Sequence, residues 1–459
     1  MTAPRAVLFC AVNGIANCTN GVGRQTKTFL SALDRDYPRL AAAAGPFTPY
    51  LALPEPGPAT WGYNTDDLAY ATAIVQRHGG QVIALPYDTK KPMWRTAAWQ
   101  QLCQNATDVL AQLAAVHDGV LAIAVDTPFA GLAHSRVPAG CQVLLALFST
   151  AHITERPDPD PLRVAWERQA IDAVNRRPEV HVADVGSFLT RHLQQDYGLD
   201  RDRLLPWPSA LHLAAPDLQP PTGAEAEAEV RRHRIPIDRP IVAAVGRTDH
   251  TKGIDLLIEA LAPLREAIHL AAIAVPTDDD RARLLHTYRA RCQELGLRST
   301  IIGEYSRTLP RALAAFPATQ VMAVPSRGET LANIVFETGL WARDEGAIVL
   351  APGRDGFVEQ ITDGHNGLLY DPSSDSALTD GIRRALALTA DQRARLRTAA
   401  YQRVQTQRDA TRHLATLLRS VWPHPGTAVS RIGDYPEADA RTPRSQAPTS
   451  TSDHLEAAG

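Results

Sequence analysis

Lysine is almost absent from this 459-residue chain: only Lys27, Lys90, Lys91 and Lys252 stand among 47 basic residues, the rest being arginine. Cysteine is as sparse. Cys10, Cys18, Cys103, Cys141 and Cys292 are odd in number, scattered and without a CxxC pair, which excludes a secreted disulfide framework and leaves no thiolate metal cluster. No apolar run approaches the ~20 residues that cross a bilayer, and Ala6–Val12 is too short for a signal-peptide core with a cleavage site. A cytoplasmic protein without an integral membrane segment is therefore expected. Excess charge of one sign is also lacking: Lys+Arg 47 against Asp+Glu 50 gives a net charge of -3, and no basic block is present to neutralise nucleic-acid phosphates.

What is there is material for large cores. Hydrophobic residues make up 44% and charged residues 21%, and the length is about three times the ~150-residue domain prior. Short apolar runs alternate with helical stretches, the pattern of parallel strands buried on both faces. In the first half these are Val7–Val12, Tyr50–Leu53, Val82–Leu85, Val120–Val125, Val143–Phe148 and Val180–Val185. In the second they are Ile241–Val245, Leu270–Val275, Thr300–Ile302, Val321–Val324, Ile348–Leu350 and Leu368–Tyr370. The expected α/β architecture is two doubly wound Rossmann-like domains facing a central cleft. A domain over 1–205 is followed by a proline-rich linker at 206–240 and a second domain over 241–390. Helices over 391–422 are expected to pack back across both domains, and 423–459, which loses apolar periodicity, is expected to be a disordered tail.

The strongest chemical signal follows the second domain's first strand. Gly246-Arg247 and Lys252-Gly253 precede an amphipathic helix, so two cations and a helix N-terminus converge where a diphosphate could bind. Solvated charges on a structural loop are the other reading. After the strand Val321–Val324 come Glu329 and, eight residues on, Glu337. If Asn333–Glu337 is helical, Glu329 sits at the helix start and Glu337 about two turns along. Two carboxylates so placed can accept from hydroxyls of two different sugars, and the backbone through Thr330, Leu331 and Asn333 offers N–H groups to a phosphate. Two surface acids spaced eight apart by chance is the alternative.

These segments, with Ala351–Ile361 and Asp363–Leu369 behind them, resemble the family-4 retaining glycosyltransferases of the GT-B fold. The resemblance implies that Arg247 and Lys252 hold the nucleotide diphosphate, Glu329 contacts the donor sugar and Glu337 the ribose. Arg247, Lys252 and Glu329 are then the catalytic set, with no protein nucleophile, cofactor or metal. Arg247–Gly253 and Ala274–Asp278 are also similar to trehalose-6-phosphate synthases. The motif opens with Glu329 where Asp is usual there, and Leu331-Ala332 replaces the Phe-Gly of family 4. In the first domain, Asn13–Arg24 resembles the glycine loop that closes over the donor phosphates, with Gly21 and Gly23 giving close approach; a loop whose glycines serve only the turn is the other reading.

Asp126 and His152 follow strands whose carboxyl ends should face the cleft. A helix-capping or core-edge role is open for His152. Lys90 and Trp94, in a segment mixing aromatics and cations, suit an acceptor loop or a solvated one. The expected partners are a nucleotide-sugar donor, such as a UDP-sugar, and a small hydrophilic acceptor. Arginine replacing lysine in an alanine-rich background is the mark of a GC-rich genome and points toward a specialised acceptor such as an aminoglycoside-like antibiotic intermediate. The alternatives are a trehalose-6-phosphate-synthase-like or pseudo-glycosidic coupling enzyme and a catalytically silent sugar-nucleotide-binding subunit.

Overall fold

Hydrophobic strands with no polar face can be satisfied only between two layers of helices, and both halves of the chain are built that way. The structure, a computed structural model, describes residues 5–17, 20–56, 62–90 and 92–423. The first sheet contains β1 (Arg5–Cys10), β2 (Phe47–Pro54), β3 (Val82–Leu85), β4 (Val120–Val125), β5 (Cys141–Ala146), β6 (Val180–Asp184) and β7 (Leu204–Pro206). Its order is β3-β2-β1-β4-β5-β6-β7. The second contains β8 (Ile241–Arg247), β9 (His269–Val275), β10 (Ser299–Ile302), β11 (Thr319–Ala323), β12 (Ile348–Pro352) and β13 (Leu368–Tyr370), in the order β10-β9-β8-β11-β12-β13. Every pairing is parallel.

In each sheet the order reverses at one place, between β1 and β4 and between β8 and β11. At such a switch point the flanking crossovers leave on opposite faces, which opens a crevice at the strands' carboxyl ends. The segments after β1, β4, β8 and β11 therefore become the walls of the cleft.

The proline-rich stretch at 206–240 differs from the expected linker. Leu204–Pro206 is an edge strand of the first sheet, and Gly223–Arg232 is a helix opened by a capping box between Thr222 and Glu225. Leu211, Leu218, Ala226, Val230 and Ile235 are buried in the second domain's core. The prolines are compatible with this because they sit at element starts: Pro216 opens a 3₁₀ turn, and Pro220 and Pro221 precede the Thr222 cap. Of the two last helices, Ala390–Gln407 packs against Asn333–Trp341 in the second domain, and Ala410–Val421 against Gly21–Ala44 in the first. The two chain crossings meet in a parallel bridge between Leu211 and Asp409. The expected tail lies outside the described residues, apart from Pro423.

Candidate functional site

On the second-domain wall, β8 ends at Arg247, and a 3₁₀ turn, His250–Lys252, is held by Asp249, whose side chain accepts from the Lys252 N–H. Gly253 then reverses the chain at φ +66°, where a Cβ would stand 2.1 Å from the Pro325 carbonyl oxygen. This turn delivers Lys252 to Glu329, with Nζ donating to Oε2 at 2.6 Å. Arg247 pairs with Asp249 at 3.2 Å and is 41% exposed, which leaves its guanidinium within reach of a ligand. Glu329 itself does not start the helix: Asn333–Trp341 begins four residues later, and Glu329 lies in the preceding loop. Glu337 lies on that helix, where burial raises its pKa above the usual carboxylate range against the opposing pull of Arg24. Thr330 is buried, and its hydroxyl donates to the Phe148 carbonyl across the cleft.

On the first-domain wall, Gly21 and Gly23 are not loop residues. They form the first turn of the helix Gly21–Ala44, whose N-cap Asn20 accepts from the Gly23 N–H at 2.7 Å. Gly14 meets the glycine requirement instead: at φ +96° a Cβ there would lie 2.5 Å from the Gly23 carbonyl oxygen. Gly21 does face the other domain, its carbonyl accepting from Asn333 Nδ2 at 2.9 Å, and Leu331 packs where a Cβ on Gly186 would stand, at 2.8 Å. Cys18 and Thr19, within the same segment, lie outside the described residues.

Asp126 caps β4 at φ 63° and is buried, with Oδ1 lacking a hydrogen-bond partner among the described residues. Burial raises its pKa, and the Arg163 guanidinium opposes that rise. His152 sits in the short helix Ala151–Thr154, edge-on to Tyr197 with ring centroids 5.8 Å apart. That helix meets the second-domain wall directly. The Thr251 hydroxyl donates to the Thr154 carbonyl at 3.1 Å, and a Cβ on Gly328 would lie 2.1 Å from the Ile153 carbonyl oxygen.

The structure thus brings Arg247, Lys252, Glu329, Thr330, Asn333, Glu337, Gly21 and Asp126 to the switch-point walls, and His152, after β5, to the short helix that touches the second-domain wall. Lys90 and Trp94 stand apart. They follow β3, the edge strand two places from the switch point; Lys90 is exposed, and Trp94, 49% exposed, packs edge-on to Trp99. Lys91 lies outside the described residues. Among the described residues no group of three or more His, Cys, Asp or Glu is placed to hold a metal ion.

Sequence reasoning missed the lattice beneath His152. Arg163 donates to Glu167 at 2.8 Å and to Glu155 at 2.7 Å, and reaches Thr127 and Ser149 at 3.2 Å each. Glu167, with no exposed side-chain surface, also accepts from the Tyr197 hydroxyl at 2.7 Å and from the Ala151 N–H that opens the His152 helix. Thr150 bonds His192 at 2.8 Å, and His192 meets Asp196 at 2.5 Å. The i,i+4 pairs Arg163–Glu167 and His192–Asp196 were the local signals, and each looks like any surface helix pair.

Comparison with known proteins agrees with the second domain most directly. Residues 225–403 match the family model described as glycosyl transferases group 1. A D-inositol 3-phosphate glycosyltransferase from Xylanimonas cellulosilytica is 28% identical over 257 residues, which is 55% of this chain and 57% of that protein. The chain therefore spans little more than half the length of this curated relative. Sucrose-phosphate synthase from Thermosynechococcus elongatus superposes with a TM-score of 0.68 at 19% identity, over 91% of this chain and 98% of the other. HepE from Anabaena, in complex with UDP and glucose, superposes with a TM-score of 0.66 at 15% identity, over 91% and 99%. The fold is GT-B, two parallel-sheet Rossmann-like domains.

Proposed function

We propose, starting from a second domain that is a group 1 glycosyl transferase domain, that the whole chain transfers a sugar from a nucleotide-diphosphate donor to a small hydrophilic acceptor with retention of anomeric configuration. The observation that carries the reading is the pairing of Lys252 with Glu329 at 2.6 Å beside a partly exposed Arg247, at the carboxyl ends of β8 and β11. Two cations beside a carboxylate match the two ends of a sugar diphosphate. The cations meet the phosphates, and Glu329 accepts from sugar hydroxyls once a ligand shares Lys252. Glu337, about one turn into the helix that begins at Asn333, accepts from the ribose.

As the anomeric bond lengthens, negative charge gathers on the leaving diphosphate and the ring carbon becomes oxocarbenium-like. Arg247 and Lys252 stabilise that charge in place, which lowers the barrier without a covalent intermediate. The acceptor enters over the first-domain wall, where Asp126 and His152 meet its hydroxyl groups; the reacting hydroxyl oxygen bonds to the anomeric carbon on the face the diphosphate leaves, and its proton passes to the departing phosphate oxygen. A cyclitol phosphate is the first acceptor to try, because the curated relative is named for one.

The test is product stereochemistry. With a turned-over donor in hand, the anomeric proton of the product is compared by NMR with that of the donor. Retention is expected. An inverted linkage overturns the reading and makes Asp126 or His152 a candidate general base.

A further inference from the structure

The first-domain helix that carries Gly21 and Gly23 also carries Arg24, and that side chain crosses the cleft. Its Nε donates to Oε1 of Glu337 at 2.8 Å, with the two side chains only 16% and 15% exposed. Its Nη1 pairs with Asp217, on the segment that enters the second domain's core. One residue along, Gln25 donates to Asn333 Oδ1 at 2.9 Å while Asn333 donates back to the Gly21 carbonyl at 2.9 Å. The first turn of one helix is thereby fastened to the first two turns of another, and the two helices belong to opposite domains.

Glu337 has two oxygens and the latch uses one. Oε2 accepts no hydrogen bond among the described residues. A carboxylate in this setting is costly to bury unpaired, since burial pushes it toward the protonated form and Asp217 adds to that push.

We propose that Arg24 is a positioning residue that couples donor binding to closure of the cleft, holding Oε1 of Glu337 so that Oε2 is presented to the ribose and the Gly21–Gly23 turn is drawn over the diphosphate. The proposal rests on the assignment of Glu337 to the ribose made above. Its physical content is linkage: a contact made only when the domains are together strengthens every ligand interaction that needs them together, and the ligand strengthens the contact in return. A pair that merely adds stability would not discriminate between free and nucleotide-bound protein.

The test uses the full chain and the tightest binder among UDP, GDP, ADP and dTDP, measured by titration calorimetry. Arg24→Ala is expected to weaken binding about tenfold, within the range of ordinary coupling between sites. Arg24→Lys, which keeps the charge, recovers part of that loss. Asp217→Asn, which removes the exposed second partner, stays within about twofold. In a Glu337→Gln background the Arg24→Ala loss shrinks to less than about threefold, because the two residues act as one unit. Small-angle scattering of nucleotide-bound Arg24→Ala gives a larger radius of gyration than the bound wild type. Should Arg24→Ala fail to fold, Arg24→Gln is read in the same way. Wild-type binding to one of the four with unchanged affinity in the Arg24 variant overturns this inference alone, as does an equal loss in both Glu337 backgrounds. A wild-type chain that binds none of the four overturns the transferase reading, and this inference with it.

Discussion

The two walls of the cleft are built by opposite means. The second-domain wall places Arg247, Lys252 and Glu329 at or just after strand ends, with side chains 41%, 25% and 15% exposed and each charge held by a neighbour that a ligand can replace. The other wall holds its charges inside. Arg163 is 13% exposed and Glu167 not at all, and their partners are fixed donors and acceptors of the same domain. The difference teaches a division of labour. Replaceable pairs suit a charged ligand whose own charge completes them, whereas a satisfied internal lattice sets shape and so suits discrimination among uncharged hydroxyl groups.

The contrast breaks most visibly at Glu167. Glu167→Ala leaves Arg163 without its buried partner and should cost about 3–5 kcal/mol of stability, measured from denaturant midpoints. A loss below 1 kcal/mol would make this wall no more rigid than the other. Lys252→Ala is the mirror case: kcat should fall about a hundredfold while stability changes by less than ~1 kcal/mol, since the pair it breaks is partly solvated. Separate kinetic and unfolding measurements decide it, and a large stability loss with modest kinetic change would reverse the assignment of roles.

A smaller effect separates the two glutamates. Glu329→Gln should lower kcat more than it changes donor affinity, because its bonds tighten as the sugar ring flattens. Glu337→Gln should raise the donor KM with a lesser change in kcat. Steady-state kinetics with varied donor would show the pattern, and identical effects at both positions would remove the distinction.

Acid should sharpen the comparison further. Burial lowers the pKa of His78, His134, His181 and His192 in the first domain, whereas on the second sheet His269 is pushed down to about 4. A histidine depressed in the folded state stays neutral there while the unfolded chain takes up a proton near the ordinary ~6.5, so stability falls as pH drops below that value. Hydrogen exchange at pH 5.5 against pH 7.5 should show first-domain amides losing more protection than second-domain amides. The smallest expected effect is none: turnover should survive EDTA, because the proposed charge stabilisers are Arg247 and Lys252.

How legible each wall was in the sequence follows from the same contrast. Arg247 and Lys252 could be read because a strand, a turn and a helix start within a few residues of one another fix where they point. Glu329 was legible as a residue but not in its place, since the helix starts later than its spacing suggested. The doubly wound sheets were evident from buried apolar runs, whereas β7 was lost because Leu204–Pro206 adjoins prolines that look like linker. Tyr197 reaches Glu167 and His192 reaches Thr150 only through tertiary folding, and Arg24 meets Glu337 across 313 positions of sequence. No local pattern encodes such contacts.

The bridge between Leu211 and Asp409 has a consequence for how the molecule is made. Residues 5–206 supply the first sheet, yet Leu414, Leu417, Leu418, Val421 and Trp422 belong to that sheet's core. On the ribosome the first domain is therefore started first and finished last. It waits through the synthesis of the entire second domain with one apolar face of Gly21–Ala44 uncovered, a period in which that face is open to wrong partners.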